Sequence, residues 1–89
     1  MYAVLVGVDI ASGRHEESLS FLKDHVMPMS KGAPGFVRGT WFGNEETGNG
    51  LMIFDSEQSA RQMASQVSSS PEDPVQVTYA HVYEVHGEA

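Results

Sequence analysis

The chain has 89 residues, 40% of them hydrophobic and 19% charged, which is the composition of one ordinary folded domain rather than a disordered segment. A formal charge of −7 with only five Lys and Arg residues argues against nucleic acid or an anionic membrane as partner. The absence of cysteine excludes disulfides, thiolate catalysis and cysteine-based metal sites, and no apolar run is long enough to cross a membrane. The apolar N-terminus lacks the basic start of a secretory signal, so we expect a cytoplasmic protein.

The first element is a strand over residues 2–10. From Tyr2 to Val8 the tyrosine hydroxyl is the only polar side-chain group, which indicates a strand covered on both faces in the middle of a sheet. A helix follows, with Glu16 and Glu17 in its first turn. Its apolar residues recur at three- and four-residue spacing: Leu19, Leu22, Val26 and Met29. We expect Pro28 to break or tighten the last turn.

Residues 36–42 are predicted to form a second strand, with Phe36, Arg38, Thr40 and Phe42 on one face and Val37, Gly39 and Trp41 on the other. The segment 43–50 is rich in Gly and Asn and is predicted to be a hairpin loop with positive-φ positions. Residues 51–54 are predicted to form a short third strand.

A second helix is predicted after residue 54, with Asp55 and Gln58 as a capping box. Its inward residues are Ala60, Met63, Ala64 and Val67. A polar loop over 68–74 leads to a last strand over 75–85 with strict alternation. One face of that strand carries Val75, Val77, Tyr79, His81, Tyr83 and Val85.

The order βαββαβ predicts a ferredoxin-like α+β sandwich in a single domain, residues 1–89. Its antiparallel four-stranded sheet would carry both helices on one face. Two helices cover only that face, so we expect a second copy of the chain to cover the other one in a homodimer.

The four histidines lack the spacing of metal ligands, so no metal site is predicted, and His15, His25 and His86 are interpreted as facing solvent. His81 differs because Tyr79 and Tyr83 flank it on the same strand face. It is either a proton-transfer group with phenolic partners or a histidine satisfied by a tyrosine hydroxyl at a dimer contact.

Two further residues have alternative roles. Trp41, the only tryptophan, is either a pocket wall that stacks on a flat substrate or a core residue. Arg38 is either the partner of a nearby carboxylate in a structural ion pair or an anchor for an anionic oxygen. The carboxylates considered are Asp9, Asp55 and Glu84.

Several segments together resemble the antibiotic-biosynthesis-monooxygenase (ABM) superfamily of dimeric α+β barrels. The likeness runs over nearly the whole chain and rests on the first strand and on the segments 12–17, 33–36 and 51–60. It implies a homodimer whose two sheets pack into a barrel, with a pocket between sheet and helices in each subunit. Haem degradation is disfavoured, because Val6 and Phe54 stand where haem-degrading members carry Asn and Trp, and no histidine lies between Ser56 and Val67.

The resemblance implies a cofactor-independent monooxygenase that acts on a small aromatic, quinol or polyketide-like substrate. Such chemistry needs a base, an oxyanion donor and a dry cavity. The residues proposed for it are His81 as base, Tyr79, Tyr83 or Arg38 at the oxyanion, and Trp41, Phe54 and Met63 as substrate-binding walls. The alternatives are a non-catalytic protein of the same fold that binds a small ligand or serves in assembly, and an isomerase that uses the same base without oxygen.

Overall fold

The computed structural model describes all 89 residues and has the predicted order of elements. The strands are β1 (Tyr2–Ile10), β2 (Phe36–Gly43), β3 (Thr47–Phe54) and β4 (Val75–Glu84). Helix α1 covers residues 15–31 in three stretches, α-helical at His15–Phe21, π-helical at Leu22–Val26 and α-helical again at Met27–Lys31, and helix α2 is Glu57–Gln66. The strands form one antiparallel sheet, which confirms the α+β ferredoxin-like fold.

Strand β1 lies in the centre of the sheet, as its apolar sequence predicts. The order across the sheet is β2-β3-β1-β4, so β1 pairs with β3 on one side and with β4 on the other. Val4 lies opposite Met52 of β3 and Val82 of β4. Both edges of β1 are therefore satisfied by neighbouring strands, and its apolar side chains are left to pack above and below the sheet.

Both helices pack on one face of the sheet, the helix face. The buried core on this face is Val4 and Val6 of β1, Met52 and Phe54 of β3, and Ala60 and Met63 of α2. Full burial of a side chain such as Val4 or Phe54 stabilises the fold by about 1.5–3 kcal/mol.

The opposite face, the open face, carries Ala3, Leu5 and Gly7 of β1 and has no helix over it. Three large side chains there are strongly exposed, namely Leu51 (38%), Phe42 (53%) and Tyr83 (51%). A single subunit therefore leaves apolar surface of its sheet in contact with water.

Pro28 is accommodated by a widened turn, whereas the sequence predicts a broken or tightened one. Helix α1 continues to Lys31, past the proline. In a regular α-helix the proline ring clashes with the carbonyl oxygen four residues earlier, and its missing N–H leaves that oxygen without a partner. The π-helical turn over Leu22–Val26 lies immediately before this point and changes the hydrogen-bond spacing there, so the helix can pass through Pro28.

The β2–β3 hairpin is tighter than predicted, because β3 begins at Thr47 and the loop is only residues 44–46. The Asn44 side-chain oxygen accepts hydrogen bonds from the backbone N–H groups of Glu46 and Thr47, both at 2.9 Å, which closes the turn. The predicted positive-φ positions in 43–50 are wrong. In this chain positive φ occurs only at Gly13 and Gly35.

A bulge in β2 changes which of its side chains share a face. The pairing with β3 shifts between Phe36 and Arg38, so Val37 is the extra residue. Phe36 therefore packs on the core together with Trp41, and the predicted grouping of Phe36 with Arg38 is wrong.

A second bulge breaks the alternation predicted for β4. Gly7 lies opposite Tyr79 while Val8 lies opposite Val77, which leaves Thr78 unpaired. Val77 therefore packs on the helix face, whereas the following alternate residues lie on the open face: Tyr79, His81 and Tyr83.

Helix α2 is capped by Ser56 rather than by Asp55. The Ser56 Oγ accepts a hydrogen bond from the backbone N–H of Ser59 at 3.2 Å. The predicted inward residues are confirmed, since Ala60 and Met63 are buried and Ala64 and Val67 pack against the same core. No helix of the structure is long and apolar enough to span a bilayer.

Candidate ligand-binding site

A cavity of about 490 Å³ lies between the helix face of the sheet and the two helices. All four strands and both helices contribute to its lining, which is mainly apolar. Helix α2 packs closely on β1 and β4, whereas α1 approaches the strands mainly through its last turns, against β2. The early turns of α1 thus leave room over the sheet, and the resulting volume lies within the roughly 300–1,000 Å³ of natural small-molecule sites.

The indole of Trp41 forms part of the cavity wall on the sheet side. It lies directly over two glycines. A Cβ atom at Gly50 would come 2.7 Å from Trp41 Nε1, and one at Gly39 would come 2.6 Å from Trp41 Cη2. Both glycines are strand residues that make room for the ring, which is why Gly50 does not belong to the loop predicted over 43–50.

The wall on the helix side comes from α1, including its π-helical turn. Phe21, Leu22, Val26 and Met29 all line the cavity. Three of them belong to the apolar stripe predicted from the sequence. π-Helical turns are frequent at functional sites, which agrees with the position of this one beside the cavity.

His15 lines the cavity, so its interpretation as a solvent-facing residue is wrong. It is the first residue of α1 and the only titratable residue in the lining. Its Nδ1 atom is buried and has no hydrogen-bond partner. His15 lies four residues before Leu19 and extends the apolar stripe of α1 by one step, which brings it to the same side of the helix.

Two serines in the lining are also buried, but their hydroxyl groups are engaged within α1. Ser18 Oγ donates to the backbone oxygen of His15 at 2.5 Å, and Ser30 Oγ donates to that of Val26 at 2.8 Å. These bonds satisfy the hydroxyl hydrogens, so the two serines present a mostly apolar surface to the cavity.

The three residues predicted as substrate-binding walls divide into two groups. Trp41 and Met63 line the cavity, and both also pack against the core, so pocket wall and core packing are not exclusive at Trp41. Phe54 is fully buried within the core and does not line the cavity. The rings of Phe54 and Phe36 lie nearly at a right angle to each other, with centroids 5.8 Å apart.

The structure brings Tyr79, His81 and Tyr83 together, but on the open face, away from the cavity. The rings of Tyr79 and His81 stack with centroids 5.2 Å apart, and the ring of Tyr83 meets that of His81 edge-on at 6.2 Å. Tyr79 donates a hydrogen bond from its hydroxyl to Asn49 Oδ1 at 3.0 Å. The base role predicted for His81 required this row to face the cavity, and the row lies on the open face of the sheet instead.

A shallow, open groove runs along the outer edge of β4. His81 and Tyr83 line it together with Arg61, Ala64 and Ser65 of α2. This groove is more open to solvent than the helix–sheet cavity and has a smaller lining.

Arg38 also lies on the open face, opposite Ile53 of β3, and does not line the cavity. It forms an ion pair with Glu88, beyond the end of β4, and not with any of the three carboxylates considered from the sequence. Both side chains are half exposed. The C-terminal segment therefore reaches across the sheet from β4 to β2, a long-range contact with no local signal in the sequence.

Sequence reasoning missed His15 and the glycines beneath Trp41, although both left a signal. His15 continues the three- and four-residue spacing of the α1 stripe. Gly50 lies two residues before Met52 and Gly39 two residues before Trp41, as residues on one strand face do.

No three His, Asp or Glu side chains gather into a group that could hold a metal ion. No family model and no curated protein matches the chain.

Proposed function

We propose that this chain is a cytoplasmic, homodimeric protein of the ABM type whose helix–sheet cavity binds a small apolar, aromatic molecule. The observation that carries the proposal is the cavity of about 490 Å³ with its mainly apolar lining. A flat aromatic ligand that buries about 150–250 Å² gains about 4–6 kcal/mol from burial before the entropic cost of binding. Trp41 offers such a ligand an aromatic face.

The position of the row Tyr79, His81 and Tyr83 favours binding over the catalysis assigned to those residues. None of the three lines the cavity. Ligand binding needs only the apolar walls and shape of the cavity, and these are contributed by both helices and all four strands.

Cofactor-independent oxygenation is the second candidate, supported by the presence of His15 in the cavity. In such a reaction an activated CH₂ group reacts with O₂ to give a C=O group and water, so the substrate supplies all the electrons. It predicts uptake of one O₂ per ketone formed when the protein is given a substrate such as anthrone. If the protein binds anthrone without taking up oxygen, the non-catalytic binding role is the one that remains.

Binding can be followed through Trp41, because the only tryptophan of the chain lines the cavity. We expect the neutral apolar probe N-phenyl-1-naphthylamine to bind with energy transfer from Trp41. Val8→Phe adds volume inside the cavity and should weaken binding by about tenfold or more, since close-packed interiors resist added atoms.

Val37→Phe is the matched control, because Val37 is a strand residue that is 42% exposed and lies outside the cavity. It should leave the affinity within about twofold of the wild type. Equal affinity of the wild type and of Val8→Phe would place the probe elsewhere and contradict the proposal.

A further inference from the structure

His15 is the one residue of the cavity lining that combines a titratable group with an unsatisfied buried atom. The cavity is otherwise lined by apolar residues, glycines and neutral polar residues. The Nδ1 atom of His15 is buried and makes no hydrogen bond, and the Nε2 atom of the same ring has no protein partner either. A ligand in the cavity is therefore the only remaining partner for this imidazole apart from water.

The burial of Nδ1 selects between the two neutral tautomers of the ring. With the hydrogen on Nδ1, a buried N–H donor would lack an acceptor, which folded proteins avoid more strictly than an unpaired acceptor. With the hydrogen on Nε2, the unpaired buried atom is only a lone pair. The geometry therefore favours a ring whose free group is the Nε2–H donor.

The neighbouring hydroxyls do not compete for the same ligand atom. Ser18 and Ser30 both donate to backbone oxygens within α1. In an apolar cavity a hydrogen bond to a ligand is stronger than in water, so one free donor can set the ligand's orientation.

We propose that His15 donates a hydrogen bond from Nε2 to an oxygen of the bound ligand, and that the ligand is accordingly an apolar molecule with one carbonyl or enolate oxygen. This inference rests on the proposed ligand-binding function and specifies its ligand class. His15 is then a binding residue that fixes which end of the ligand lies at the start of α1.

A matched pair of probes tests the inference, namely 1-tetralone and tetralin, which differ by one carbonyl group. For His15→Phe we expect the affinity for 1-tetralone to fall about three- to tenfold, the range of a single hydrogen bond, while that for tetralin changes less than about twofold. His15→Gln keeps an N–H donor at the end of the side chain and should retain the affinity for 1-tetralone within about threefold.

The tautomer supplies an independent readout. In the ¹⁵N-labelled wild type at pH 8, imidazole nitrogen shifts should show the hydrogen of His15 on Nε2. A hydrogen on Nδ1, or an equal loss of affinity for both probes in His15→Phe, would overturn the inference while leaving the cavity as a binding site. Failure of the wild type to bind either probe would overturn the proposed function together with the inference.

Discussion

Gly39 and Gly50 position Trp41 because they have no Cβ atom. Both belong to the strands beneath the indole ring, and a Cβ atom at either would approach that ring to less than 3 Å. The contact at Gly50 involves Nε1 and Cδ1, which lie near the base of the Trp41 side chain rather than at its far end. The whole indole would have to move, and in a packed interior such a shift is costly.

We therefore expect Gly50→Ala to destabilise the protein by about 1–3 kcal/mol through overpacking against Trp41. Urea unfolding followed by circular dichroism measures the change. Gly87→Ala is the control, since a Cβ atom there meets nothing within 4 Å. Unfolding midpoints that are the same for both variants would show that Trp41 is not held by the glycine.

Helix α1 is tied down at its start by Arg14. The guanidinium donates to both carboxylate oxygens of Glu17, from Nε at 2.9 Å and from Nη2 at 2.5 Å, and from Nη1 to the backbone oxygen of Asp73 at 3.2 Å. The hydrogen bonds from Arg14, with its charge, hold the pKa of Glu17 below its ordinary value of 4.5, and those to Glu17 raise the pKa of Arg14. These hydrogen bonds of Arg14 lie directly before His15, so they also anchor the helix side of the cavity.

The direction in which the pKa of Glu17 is shifted predicts how the stability of the start of α1 depends on pH. Because the pKa of Glu17 is lower in the folded chain, its contribution to stability is present above about pH 4.5 and is lost as the pH falls through the folded value. Arg14→Gln should therefore be less stable than the wild type at neutral pH, and the difference should shrink below pH 4.5. Urea midpoints measured from pH 7 to pH 3 check this.

Lys23→Gln likewise removes one positive charge, from α1 itself, without breaking an ion pair, and is the control for general charge effects. A difference between Arg14→Gln and the wild type that stayed constant down to pH 3 would show that the ion pair does not contribute to folding.

The whole molecule has one covered and one uncovered sheet face. The helices bury the helix face, whereas Leu51, Phe42 and Tyr83 leave apolar and aromatic surface exposed on the other. Exposed apolar surface of this kind is typical of interaction sites, and the two-fold packing of one sheet on another would cover it with a second copy. The proposed homodimer depends on this argument.

We expect Leu51→Asp to abolish self-association, because it places a charge in the middle of the open face, where the second copy would have to bury it. Sedimentation velocity at micromolar concentration separates the dimer from the 9.7 kDa monomer. Met27→Asp is the matched control, since Met27 is similarly exposed, at 41%, but lies on α1. A wild type that sediments as a folded monomer would contradict the homodimer.

The elements and their order follow from the sequence, because apolar periodicity and turn residues act within a few positions along the chain. The apolar run of β1 indicates a central strand, and the stripes of α1 and α2 indicate which sides face the sheet. Of the three residues proposed as substrate-binding walls from the family resemblance, Trp41 and Met63 line the cavity and Phe54 does not.

Tertiary structure alone decided which residues face the cavity, because that depends on contacts between distant segments. The single extra residue at Thr78 changes the strand face from Val77 to Tyr79, so His81 lies on the open face, and no composition signal marks such a bulge. The roles of Gly39 and Gly50 depend on where Trp41 lies across the sheet. The sequence by itself thus determined the fold and its apolar stripes, whereas the pairing register determined the walls of the cavity, since a shift of one residue exchanges the two faces of a strand.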